Sequence, residues 1–127
     1  MELPTIARTT ITVTDFASTT AELIFNMTLS TKIKQVSDHI AQLLNNNPNA
    51  GPNPTAFMEL QSAMTPLRDI SARGWEAAES LLADARFYYS EQILRAPEST
   101  APGLFDEMQR KVVIIRLQAF QYQARSR

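Results

Sequence analysis

The breaks in this chain are concentrated. Five of its seven prolines and two of its three glycines fall in two stretches, "NNNPNAGPNPT" (residues 45–55) and "RAPESTAPG" (residues 95–103). Asn and Gly favour turn conformations there, and Pro both fixes φ and lacks an N–H, so neither stretch can carry a long helix or a central strand. The chain is divided into three long runs, and within them apolar residues recur at spacings of three and four, the signature of helix faces. Three or four helices joined by these two loops can bury their apolar faces in an antiparallel all-α bundle. One hundred and twenty-seven residues suffice for one such domain, spanning residues 1–127.

In the first run, Leu29, Ile33, Val36, Ile40 and Leu43 step by four, three, four and three, making one apolar face. Upstream, Phe16, Leu23 and Met27 point elsewhere on a continuous helix, and Glu22 falls on the apolar face. The register therefore changes near Ser30–Thr31, or the early turns are buried on several sides. Thr19 with Glu22 fits a capping box, and Thr14 or Asp15 fits an earlier start. Residues 1–13 are Thr-dense and nearly uncharged, with a brief alternation at Thr9–Thr14, and are expected to form a short extended arm that orders on contact with a partner.

The second run begins near Pro54 and reaches about Leu94. Thr65 followed by Pro66 implies a kink or the end of a short helix and the start of a longer one. Asp69 with Arg73, and Glu91 with Arg95, have the spacing of helical ion pairs. The third run, about Leu104 to Ala124, opens with Asp106 and Glu107 and closes in arginines, a polarity that suits the helix dipole.

Charge is balanced overall, at −1 with a pI near 5.8, so no net field draws nucleic acid or an anionic membrane. Locally it is not balanced. Residues 69–107 hold eight acids against three arginines, and residues 108–127 hold five cations and no acid, which places the acidic second run beside the basic third. No apolar run approaches the roughly 20 residues of a bilayer span. The start has no basic and apolar leader; its Thr-rich composition also fits a non-cleaved export signal, with the cytoplasm as the default expectation. The absence of cysteine excludes disulfides, thiolate catalysis and sulfur-ligated metals.

Chemistry-bearing patterns are sparse. His39 has Gln35 and Gln42 as its helical neighbours, neither a metal ligand nor an orienting acid. Glu76 and Glu79 form an E-x-x-E pair, but a di-metal bundle needs Glu-x-x-His twice and the chain has one histidine. No phosphate loop, nucleophile triad or H-E-x-x-H is present. The expectation is a non-enzyme without metal or cofactor. An enzyme or small-molecule binder would need a polar pocket built from residues such as His39, Tyr88 or Arg86.

The last run has more apolar surface than one neighbour covers. Phe105, Met108, Val112, Ile115, Ala119 and Tyr122 form a heptad-like, coiled-coil seam. Val113, Leu117, Phe120 and Ala124 form a second, set apart by Gln109, Arg116 and Gln123, with Ile114 opposite among Glu107, Lys111 and Gln118. Either this helix is central and wrapped by its own chain, or the second seam is buried against another protein. Phe87, projecting away from Tyr88 and Tyr89, is a further candidate contact. The sequence thus points to a protein–protein interaction subunit, a structural or assembly component acting through Val113, Leu117, Phe120, Ala124 and Phe87. Self-association or a larger assembly is the expected partnership, and a small helical chaperone or inhibitor is the alternative.

Overall fold

A computed structural model of the chain describes residues 2–125, with side chains from Thr20 to Tyr122. Its elements are α1 (Glu2–Asn46), α2 (Pro54–Met64), a 3-10 turn (Thr65–Asp69), α3 (Ala72–Tyr88), the single turn α4 (Gln92–Arg95) and α5 (Thr100–Arg125). The fold is all-α, with no strand among the described residues.

The expected extended arm, and the strand-like reading of Thr9–Thr14, give way to helix, because α1 begins at Glu2 and not near Thr14 or Thr19. The physical reason lies in what is missing. Between Pro4 and Asn46 no glycine or proline breaks the run, and a β-branched threonine costs a helix only a few tenths of a kcal/mol.

Pro66 ends a helix rather than kinking one. The Thr65 hydroxyl donates back to Gln61 O (2.9 Å) instead of capping, and the chain tightens into the 3-10 turn. The cap of the next helix is Ser71, whose Oγ accepts from Gly74 N at 3.0 Å. Asn53 does the same for α2, accepting from Ala56 N at 3.1 Å, with Pro54 in the first turn.

The second loop is shorter than expected. Pro102 and Gly103 lie in the first turn of α5, where a proline sacrifices no helical bond, and Gly103 N donates to Ser99 O at 3.3 Å.

The core forms where α1, α2, α3 and α5 meet. It is made of Ile33, Val36, Ile40 and Leu44 from α1, Leu60 and Met64 from α2, Leu81 and Ala85 from α3, and Met108, Val112 and Ile115 from α5. Ser37 is fully buried on the same face of α1 and satisfies its hydroxyl on Lys34 O (2.8 Å).

Two tyrosines hold the Asn/Pro-rich loop against the end of α3. Tyr89 Oη donates to Asn47 O at 2.8 Å, and Tyr88 Oη donates to Pro48 O. In return, Gly51 N donates to Tyr88 O (2.9 Å) and Asn53 N to Tyr89 O (3.2 Å). Gly51 makes this close approach with φ +126°, a backbone state that a side chain resists.

Candidate functional surface

The inner seam of α5 is the one expected. Met108, Val112, Ile115 and Ala119 are buried, and Phe105 and Tyr122 are half-buried against the core. Polar contacts fix the helix on both flanks. On the α1 side, Gln109 Nε2 donates to Asn45 Oδ1 (3.2 Å) and Arg116 Nη2 to Asp38 Oδ1 (2.8 Å). On the α3 side, Lys111 Nζ donates to Asp84 Oδ2 and Tyr122 Oη to Ile70 O (3.0 Å). The acidic second run does lie beside the basic third, through Asp84 and Lys111. Among the described residues, ion pairs join helices or link Glu107 to Lys111, and do not form at Asp69–Arg73 or Glu91–Arg95.

Burial raises the Asp84 carboxyl above its ordinary range in spite of the Lys111 ammonium beside it. Burial also pushes Tyr89 up to about 12, with Tyr88 adding to the effect. Asp84 ties α3 to α5 through Lys111, and Tyr89 ties it to the Asn/Pro-rich loop.

With both flanks occupied, the outer side of α5 faces water. Val113 is 51% exposed, Leu117 50% and Phe120 58%, while Ile114 beside them is nearly half exposed. These four make one stripe on the side of α5 away from Met108 and Ile115. The helix is therefore not wrapped by its own chain. Ile114 widens the stripe, which sequence reasoning missed because it placed that residue among polar neighbours. Ala124 is in α5, but its side chain lies outside the described residues. Phe87 is half-buried on α3 and is not part of the α5 stripe.

A second apolar region lies on α1. Asn45 opposite Gln109 and Asp38 opposite Arg116 are seven residues apart on each helix and run in opposite directions, so the two helices are antiparallel in step. Continuing that register sets Leu29 level with Arg125. The turns of α1 just upstream of Leu29 therefore lie past the described end of α5. Ile24 (62%), Phe25 (62%) and Met27 (60%) are exposed on these turns.

An open groove of about 740 Å³ runs between α1 and α2, lined by Val36, His39, Leu43, Met58, Glu59 and Ala63 among others. His39 is exposed at its wall. Tyr88 and Arg86 are elsewhere, Tyr88 on Pro48 and Arg86 over the Phe57 ring at 5.4 Å, so the three residues that a polar pocket would need do not converge. No group of three His, Asp or Glu that could hold a metal occurs among the described residues. No helix there is long and apolar enough to cross a membrane.

Comparison with protein-family models, with curated proteins and with solved structures gives no match to this chain.

Proposed function

We propose that this protein is a non-enzymatic interaction subunit, a structural or assembly component that binds other proteins by packing a helix on the outer stripe of α5. The observation that carries this reading is the exposure of Val113, Ile114, Leu117 and Phe120 on a helix whose opposite seam is fully engaged. Helices of small monomers present charge on such a face. A contiguous apolar patch of on the order of a few hundred Å² is at the upper end of what a monomer leaves in water.

The energetics set a scale. Full burial of a large apolar side chain contributes about 1.5–3 kcal/mol, and half of each surface is already covered, so the stripe contributes on the order of 4 kcal/mol. Association itself costs at least that much. The stripe is an anchor and not a complete interface.

Light scattering of the purified chain over a range of concentrations, beside a Leu117→Asp/Phe120→Asp variant, tests the reading. A mass that rises with concentration in the natural chain and not in the variant supports a structural subunit. A monomer that captures one protein partner through the stripe fits the alternative, a chaperone or inhibitor. A variant that associates as fully as the natural chain, or one that unfolds, contradicts the assignment of these residues to binding.

A further inference from the structure

We propose that the groove between α1 and α2 is a second docking site, and that its occupant is an amphipathic helix of a partner protein, laid along the groove with acidic residues on the edge that meets α1. The site is separate from the α5 stripe and shares no residue with it.

Helical spacing builds the two walls. On α1, Lys32, Gln35 and His39 step by three and four and so share one side of the helix. On α2, Thr55, Glu59 and Ser62 step by four and three and do the same. All six are exposed and line the groove. The floor between the rows is apolar: Val36 and Ala63 are nearly closed to water, and Leu43 is half-buried. Met58 stands on the α2 wall at 65% exposure. Asp38 and Asn45, which meet α5, lie more than about 100° around α1 from Lys32 and His39, so α5 packs on a different side and leaves the groove uncovered.

The shape selects a helix. From Lys32 to Leu43 the groove runs about 17 Å, three helical turns. A floor of valine and alanine lets another helix axis approach to the roughly 8–10 Å at which helices pack. Wall residues that recur every three or four positions meet side chains that recur in the same way. A small ligand is held where the site closes over most of its surface, whereas this groove is open along its length.

Charge sets the orientation. The α1 wall carries Lys32 and no acid, and the α2 wall carries Glu59 and no Lys or Arg. The nearest acid on α1, Asp38, is turned toward Arg116 of α5. Among the described residues, neither Lys32 nor Glu59 forms an ion pair. A helix whose carboxylates lie toward α1 answers the free cation there and stands clear of Glu59. The basic stretch of α5 in a second copy does not fit, since residues 108–127 hold no acid.

Two helical peptides of about 15 residues, long enough to fill the groove, test this. Both carry the same leucine ridge; one has glutamates along one edge, and the other has glutamines there. Fluorescence anisotropy with the full chain is expected to show the glutamate peptide binding several-fold tighter, the scale of exposed ion pairs. Lys32→Glu is expected to abolish that advantage and leave the glutamine peptide unchanged, and Met58→Asp to weaken both about tenfold. Both positions are exposed, and circular dichroism checks the fold; Lys32→Gln and Met58→Gln serve if a variant loses helicity. The proposal is overturned if neither peptide binds, if both bind alike, or if Lys32→Glu changes nothing. Binding that survives Met58→Asp and is lost in Leu117→Asp/Phe120→Asp puts the peptide on the α5 stripe and also overturns it, leaving the reading of the stripe intact. A Met58→Asp chain that loses self-association by light scattering assigns the groove to a second copy and overturns it as well.

Discussion

At the scale of single residues, the tyrosine pair and the Asp84–Lys111 pair set the local stabilities. Each tyrosine hydroxyl donates to a loop carbonyl, so Tyr88→Phe and Tyr89→Phe should each cost about 1 kcal/mol in urea denaturation. The phenol is neutral when protonated, and burial raises Tyr89 to about 12 from its ordinary 10. Folding therefore favours the protonated form. Stability from this group is complete below pH 10 and is lost as the pH rises through about 12, which denaturation followed against tyrosinate absorbance would show. For Asp84 the folded value is also raised, so its contribution is present below its ordinary pKa and declines as the carboxyl ionises; Lys111 offsets that decline. Lys111→Met should cost about 3 kcal/mol near neutral pH and push the Asp84 carboxyl higher still, as carboxyl titration by NMR would report. Neither tyrosine partnership was legible in the sequence. The donors and acceptors are some forty residues apart, and "RFYY" shows only that two phenols sit near a helix end.

At the scale of elements, caps and breaks decide the boundaries. Ser71→Ala removes the acceptor for Gly74 N and should cost about 1 kcal/mol, measured as a shift of the urea midpoint without change of slope. Spacing made the inner seam of α5 and the Ile33–Val36–Ile40 face readable, because period alone determines which residues share a side. Boundaries were less readable. The sequence drew attention to Thr65 and Pro66 as the start of the longer helix, whereas Ser71 caps it, and Pro102 and Gly103 looked like loop although a first helical turn accepts both. The Thr-rich start was read as extended from composition, yet no residue after Pro4 actually stops a helix there. Ile114 shows the same limit at the surface: Glu107, Lys111 and Gln118 border it on one side of the helix, but on the other it borders Val113 and Leu117 and is exposed with them.

At the scale of the whole molecule, the antiparallel all-α plan followed from two punctuated loops and three periodic runs. What could not follow was the relative length of the helices once packed. The pairing of Asn45 with Gln109 and of Asp38 with Arg116 sets the register in which Ile24, Phe25 and Met27 of α1 fall past the described end of α5 and stand exposed. α5 carries more apolar surface than its own chain covers, and in the function proposed above another protein surface covers it. The chain has no cysteine, so a Leu117→Cys variant offers one thiol on the stripe, and Gln61→Cys one on exposed α2 as a control. The rate of thiol labelling measured against chain concentration is the direct test. Rapid labelling is expected at position 117 in dilute solution, slowing many-fold as chains associate, with position 61 unchanged. Slow labelling at 117 in dilute solution, or a rate at 117 that matches 61 at every concentration, would contradict it.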